Sequence, residues 1–166
     1  MTDLCAITSH YNDELRHIEY AVEKYGDMLF RICYSILNNK YDAEDAVQDA
    51  FLKYIQKAPD FKSADHEKAW LLRVTINISK NMLKASGRKN LPIQEDIPYE
   101  QNNNEVLQCV MSLEEKYRTI IHLYYYEDYS IKEIASILSL PRATVGTRLS
   151  RGRSILKTML KGDFEL

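Results

Sequence analysis

Tyr129-Ser-Ile-Lys-Glu-Ile-Ala-Ser-Ile-Leu-Ser-Leu-Pro-Arg-Ala-Thr-Val-Gly-Thr-Arg-Leu-Ser-Arg-Gly-Arg153 is the stretch whose reading decides the fold. It reads as two helices joined by a tight turn. Ser130 can accept a hydrogen bond from the backbone N–H of Glu133 while the Glu133 side chain reaches back, the reciprocal arrangement of a capping box. Ile131, Ile134, Ala135 and Leu138 then recur at the spacing of one helical face. Ser139-Leu140-Pro141 closes that helix, because Pro141 has no N–H to continue it and suits the first turn of a new one. The second helix turns Val145 and Leu149 inward, with Leu156 further along the same side. Its other faces carry Arg142, Arg148, Arg151, Arg153, Lys157 and Lys161, and no acidic residue interrupts them. A short helix, a turn and a cationic helix make a helix-turn-helix whose second helix fits a major groove.

A basic face taken alone is commonly just a solvated face. Here Thr144, Thr147, Ser150 and Arg151 fall together on the exposed side of a helix without acids. Hydroxyls and guanidinium groups suit phosphate and base-edge contacts, and Arg can be bidentate to guanine. The reading is therefore DNA binding.

The chain has 166 residues, a formal net charge of −2 and an apolar fraction of 45%, which suits one globular domain or two small ones. Cys5, Cys33 and Cys109 are widely spaced without a CxxC, and His10, His17, His66 and His122 are scattered. That pattern argues against a structural zinc site and for reduced thiols in a cytosolic protein. The N-terminus lacks a basic segment followed by an apolar core, and no run is apolar enough to span a bilayer. A slightly negative total argues against nucleic-acid binding, but the distribution matters more. Between Lys68 and Lys89 lie Arg73, Lys80, Lys84 and Arg88, with no Asp or Glu; the acids gather elsewhere, at Asp42, Glu44, Asp45 and Asp49 and from Glu95 to Glu105. Two basic segments on an acidic body imply two DNA-facing surfaces.

In chain order, residues 12–37 form a first helical region in which Leu29, Ile32, Cys33 and Ile36 make a core stripe. Asn38-Asn39-Lys40 ends it, since Asn tolerates a left-handed C-cap. A second helix runs from Tyr41-Asp42 to Lys57, with Asp42 as its cap and Ala46, Val47, Ala50, Phe51, Tyr54 and Ile55 as its buried stripe. Asp45, Gln48 and Asp49 share its other face. Two carboxylates four apart can bind a divalent cation, but nothing nearby completes the ligand set, and a solvated face or a dock for a basic protein explains them better. After a loop over Phe61, Lys62, Ser63, Ala64 and Asp65, a third helix to Ser86 carries Trp70, Leu71, Val74, Ile78 and Met82 toward the core. Its polar side presents Arg73, Asn77, Lys80, Asn81 and Lys84. An aromatic loop beside such a face suits an unstacked single strand, although an ordinary amphipathic helix has the same look. Residues 87–104 show no periodicity and read as a linker that leaves two halves free to move. Beyond it, Val106, Leu107 and Val110 lie on a short helix, Ser112 caps the next, and Tyr117, Ile120, Ile121 and Tyr124 form the stripe on which the helix-turn-helix folds. Tyr124-Tyr125-Tyr126 belongs to the core and its rim.

Taken together, the segments Tyr25-Gly26, Asp42-Ala-Glu-Asp-Ala-Val-Gln-Asp-Ala-Phe-Leu52, Ala69-Trp-Leu-Leu-Arg-Val-Thr-Ile-Asn77, Ser112-Leu-Glu-Glu115, Tyr129–Ala135 and Thr144–Arg153 are similar in order and spacing to those of an extracytoplasmic-function sigma factor, the minimal specificity subunit of bacterial RNA polymerase. The resemblance covers nearly the whole chain. It implies an all-α protein of two small helical domains, a region 2-like domain over 12–86 and a region 4-like domain over 105–161, joined by the 87–104 linker. It implies that Asp42, Glu44, Asp45, Gln48 and Asp49 dock core polymerase. It implies that Phe61, Lys62, Ser63, Ala64 and Asp65, with Asn77, Lys80, Asn81 and Lys84, capture an unpaired minus-ten base. Arg142, Thr144, Thr147, Arg148, Ser150, Arg151 and Arg153 would read the minus-35 duplex. No cofactor, metal, membrane insertion or catalysis is expected, and an anti-sigma partner is. Gly146 departs from the pattern, standing where many members carry Lys or Arg. The competing readings are a stand-alone helix-turn-helix regulator, which leaves the acidic helix and the Asn77 helix without a task, and a nuclease built on Asp45 and Asp49.

Overall fold

The computed structural model describes residues 2–87 and 105–162, with side-chain surroundings from Asp13 to Gly87 and from Glu105 to Lys161. The described residues form seven helices. The linker expected after Gly87 lies outside them.

Helix α1, Thr2–Leu37, buries Leu29, Ile32, Cys33 and Ile36, as their spacing requires. Burial pushes the Cys33 thiol up to about 12, so it stays protonated. Asn38 ends the helix in the left-handed region (φ 50°), its N–H bonded to the Tyr34 carbonyl at 2.8 Å. Because one left-handed residue turns the chain, helix α2, Lys40–Lys57, starts at once. Asn39, not Asp42, is its cap: Asn39 is extended, and its side chain accepts from the Asp42 N–H at 3.0 Å. The buried arc of α2 is Ala43, Ala46, Ala50, Phe51 and Tyr54. Ile55, expected in that arc, is 55% exposed, since one further residue rotates it by about 100° off a contact made narrow by alanines.

Ser63 accepts from the His66 N–H at 3.1 Å and caps helix α3, Ala64–Ala85, so Ala64 and Asp65 belong to the first turn rather than to a loop. The core side of α3 is Leu71, Leu72, Thr75, Ile76, Ile78 and Ser79; Trp70, Val74 and Met82 are only half-buried. Small residues at Thr75 and Ser79 let α3 sit close to α1, where the Ser79 hydroxyl lies 3.4 Å from the Cys33 sulfur.

Helix α4, Glu105–Ser112, precedes α5, Glu115–Tyr125. Ser112 does not cap α5. It ends α4 by donating to the Cys109 carbonyl at 2.8 Å, while Leu113 enters the core and Glu114 occupies the cap position without a side-chain bond. Helix α6, Ile131–Leu138, has the expected capping box, with Ser130 accepting from the Glu133 N–H and donating its own N–H to the Glu133 carboxylate at 2.8 Å. Ser139 is left-handed, and Pro141 supplies the carbonyl for the first bond of α7, Arg142–Gly162. Val145 and Leu149 are fully buried and Leu156 is half-buried.

The halves touch. Their buried apolar residues form one continuous cluster, with α5 against α1 and α6 against α3. Arg118, on the buried side of α5, donates to the Ser35 and Ile36 carbonyls at the end of α1 and to the Met111 and Leu113 carbonyls beside it. The free movement expected from the linker therefore meets a packed contact.

Candidate nucleic-acid interface

Each cationic helix places its polar residues on an identifiable surface. On α7, Thr144, Thr147, Arg148 and Arg151 line an open cavity of about 420 Å³ together with Ala143 and with Lys116 and Tyr117 of α5. Lys116 belongs to this surface although the sequence reading did not single it out. Its one signal is its place in the first turn of α5, two helices before α7. Its ammonium is 2.7 Å from a Glu114 carboxylate oxygen and lies over the Tyr117 ring, and the Glu114 contact raises its pKa. Ser150, Arg142 and Arg153 are exposed but lie outside the cavity, because at about 100° per residue they project to other sides of the helix. Among the described residues no carboxylate lies within ion-pair distance of Arg142, Arg148, Arg151 or Arg153. The side chain of Thr147 is engaged locally, donating to the Ala143 carbonyl at 2.8 Å. At Gly146 an added Cβ would meet nothing within 4 Å; at Gly152 it would come within 3.2 Å of Ile121, so Gly152 is the point of close approach between α7 and α5.

On α3, Trp70, Arg73, Asn77, Lys80 and Lys84 follow one another at three- and four-residue steps and form one stripe, with Asn81 at its edge. Asn77, Asn81 and Lys84 are exposed. Two of the cations are engaged by the second half. Arg73 donates to the Ser136 carbonyl at 2.7 Å, and Lys80 lies 3.6 Å from Glu115. At the start of the stripe, Phe61 stacks on Tyr54 with ring centroids 6.0 Å apart and packs edge-on against Trp70 and His66. Lys62, Ser63, Ala64 and Asp65 are exposed beside it, the Lys62 N–H donating to His66 Nδ1 at 3.3 Å. The structure thus brings the expected loop and the expected helix face together through Trp70.

Near the junction of the halves, Glu127 is held by Arg31 at 3.7 Å, Lys68 at 3.9 Å and His122 at 3.5 Å. Burial alone would raise its pKa; His122, Arg31 and Lys68 outweigh that and hold the carboxyl below the usual carboxylate range.

The third surface is on α2. Glu44, Asp45, Gln48 and Asp49 are exposed and Asp42 is half-buried. Tyr41 is 73% exposed and Leu52 53%, and with Asp45, Gln48 and Ile55 they form one line along the helix. By residue type Ile55 belongs to the buried arc, but its exposure beside Tyr41 and Leu52 makes all three the apolar members of this line. Among the described residues no group of three His, Cys, Asp or Glu is placed to hold a metal ion, so Asp45 and Asp49 lack a third ligand there. No helix among them is long and apolar enough to cross a membrane.

The all-α scaffold thus presents a cationic face on α3, a second on α7 and an acidic–apolar line on α2. The Sigma-70 region 2 family profile matches residues 21–89, and the Sigma-70, region 4 profile matches residues 103–156. The chain is 28% identical to the ECF RNA polymerase sigma factor SigW of Bacillus subtilis, over 84% of this chain and 87% of that one. It is 30% identical to the ECF RNA polymerase sigma-E factor of Escherichia coli K12, over 69% and 72% of the two chains. In fold it is similar to the sigma factor RpoE of Bartonella quintana, solved in complex with the anti-sigma factor NepR, with a TM-score of 0.70 and 20% identity over 88% of this chain and 98% of that one. CnrH, solved with the cytosolic domain of CnrY, gives a TM-score of 0.64 at 23% identity over 90% of each chain. This chain belongs to the extracytoplasmic-function sigma factors of RNA polymerase. It directs promoter-specific initiation by binding core polymerase and by recognising and melting promoter DNA.

Proposed function

We propose the following division of labour among the three surfaces. Residues 12–86 make the part that docks polymerase and opens DNA, and residues 105–161 the part that reads duplex. The α2 line, with Asp42, Glu44, Asp45, Gln48 and Asp49 and the apolar Tyr41, Leu52 and Ile55, docks a basic element of core polymerase. Carboxylates steer the encounter, and the exposed apolar groups add burial once contact is made. Phe61 and the neighbouring Lys62, Ser63, Ala64 and Asp65 capture an unpaired minus-ten base, which Asn77 and Asn81 contact while Lys80 and Lys84 follow the phosphates. The α7 surface, with Arg142, Thr144, Thr147, Arg148, Ser150, Arg151 and Arg153, reads the minus-35 duplex. Here Lys116 adds a phosphate contact from α5. The work is binding, without catalytic chemistry, and is carried out in the cytoplasm with the polymerase.

The observation that carries this reading is the contrast between the two basic helices in the free chain. Arg73 and Lys80 on α3 are tied to Ser136 and Glu115, so the halves must part before a strand can lie along α3. Core polymerase, by holding the two parts separately, would supply that parting. An anti-sigma factor, of the kind solved with RpoE, would oppose it by keeping the surfaces covered.

The test is transcription in vitro with bacterial core polymerase on a library of supercoiled promoter fragments. Initiation from a defined start site only when the protein is added supports the assignment and yields both promoter elements. Duplex binding without any effect on initiation would favour a stand-alone regulator.

A further inference from the structure

The part of the first half that the three surfaces leave unexplained is a buried carboxylate. Glu67, in the first turn of α3, is only 7% exposed. One of its oxygens accepts from the Tyr25 hydroxyl of α1 at 3.0 Å, the other from the Tyr54 hydroxyl of α2 at 2.5 Å. With the Tyr54 proton directed at Glu67, the phenolic oxygen must accept from His17, whose Nε2 lies 2.8 Å away and 3.4 Å from the same Glu67 oxygen. Among the described residues no lysine or arginine pairs with Glu67. The charge rests on hydroxyl donors, on His17 and on the positive end of α3.

Burying a carboxylate is costly, and an apolar side chain would fill the same space between three helices more favourably. What the carboxylate adds is direction. It only accepts, so the bond pins the hydroxyl end of Tyr54 in place, and because a phenolic O–H prefers to lie in the plane of its ring, a turn of the Tyr54 ring about its own axis strains that charge-assisted bond. The Tyr54 ring is in turn nearly parallel to Phe61, at 9° between planes, and edge-on to Trp70 at 60°. Phe61 closes the set against Trp70 at 5.8 Å and His66 at 5.5 Å. A half-buried ring whose plane is set from beneath is a fixed platform.

We infer that Glu67 is a positioning residue: through the Tyr54 hydroxyl it fixes the plane of Phe61 on which the unpaired promoter base stacks. The inference rests on the base-capture reading of the Phe61 loop. Glu67 itself does not touch DNA. Its effect is preorganisation, since a platform already in place avoids the ordering cost that a mobile ring would incur on binding.

Tyr54→Phe deletes one hydroxyl and keeps the ring, and Glu67→Gln keeps the shape and removes the charge. Ser79→Ala, which removes a buried hydroxyl outside the network, is the control for general loss of stability. The full chain is assembled with core polymerase on fork-junction DNAs carrying 2-aminopurine at the unpaired position. Expected for both variants is a loss of base capture of about tenfold or more, the equivalent of one charge-assisted hydrogen bond, with binding to core polymerase and to minus-35 duplex unchanged. In the free chain, quenching by acrylamide of Trp70, the single tryptophan, should increase in both variants and not in Ser79→Ala. Unchanged quenching, or a capture loss that Ser79→Ala reproduces at matched melting temperature, overturns the inference. If the wild type captures no base on any fork, the reading of the loop fails, and the Trp70 quenching still decides whether Glu67 sets the Phe61 platform.

Discussion

Helices α3 and α7 carry the same kinds of residues and stand in opposite circumstances. Both present a cationic side with hydroxyl or amide groups, uninterrupted by acids from Lys68 onward on α3 and throughout α7. On α3 the cations Arg73 and Lys80 already have partners from the second half, whereas the α7 arginines have no carboxylate nearby among the described residues. The difference is one of neighbours. A basic face states what a helix can bind; only the fold states whether that face is available. In this chain the cationic surface of α7 is open and that of α3 is partly covered; on the proposed roles, this suits an order of events in which duplex recognition precedes opening.

The largest effect should come from breaking the join that imposes this contrast. Arg118→Ala leaves buried carbonyls of Ser35, Ile36, Met111 and Leu113 without their donor. It should cost about 2–4 kcal/mol in urea unfolding. It should also increase single-strand binding by the free chain, because α3 loses its cover. Single-strand binding unchanged at a reduced stability would mean that the contacts at Arg73 and Lys80 persist without Arg118.

Next come the two glycines of α7, which should respond in opposite directions. Gly152→Val places carbon where Ile121 already stands at 3.2 Å from an added Cβ, and should destabilise by about 1–3 kcal/mol. Gly146→Ala meets open space and should stabilise by about 1 kcal/mol through helix propensity. Thermal melts of the two variants decide this. Gly146→Lys should in addition tighten duplex binding and steepen its salt dependence by close to one phosphate contact, about 0.9 in the log–log slope. An unchanged slope would show that position 146 does not reach the backbone.

A smaller effect is expected at the cover itself. Glu115→Ala frees Lys80 from a partly exposed pair, so stability should fall by less than about 1 kcal/mol. Single-strand affinity should rise and duplex affinity stay unchanged, as read by fluorescence anisotropy. The smallest should be a pH effect at Glu127. Its carboxyl is held below the ordinary range, so its contribution is complete above the unfolded value of about 4.3 and is lost as pH falls through the folded value. The urea midpoint of the wild type should therefore drop more steeply below about pH 4.3 than that of Glu127→Gln, in which this carboxyl is absent.

Much of this architecture was legible from spacing. The Ser130–Glu133 capping box, the left-handed Asn38 and the inward pair Val145 and Leu149 all depend on residues within a turn or two of each other, and each is found as expected. Local choices between similar neighbours were less legible. Asn39 and Asp42 are both good caps, and the left-handed Asn38 beside them selects the first. Ile55 looks like core by type, but α2 packs through its alanines and leaves Ile55 outside. Illegible altogether were contacts between distant positions. Arg118 reads as one more helix-surface cation until the end of α1 is folded against it, and Glu67 reads as a solvated acid until Tyr25 and Tyr54 arrive from two other helices. The candidate site shows the same division. Its residue types were apparent along each helix, whereas Lys116 joined the α7 surface only through the packing of α5 against α7, and Tyr41 and Leu52 joined the α2 line by remaining exposed.

The Arg118 contact has a consequence for synthesis. The carbonyl of Ser35 at the end of α1 is satisfied by a donor 83 residues further along the chain. At a translation rate of about 5–20 residues per second, that donor follows about 4–17 s later. During that interval the first helix has its final turn without its eventual partner, and α3, Ala64–Ala85, is made within it, before the half that will cover its face. The face of α3 proposed to take a single strand is thus made before the half proposed to read duplex, a window that the completed molecule closes upon itself.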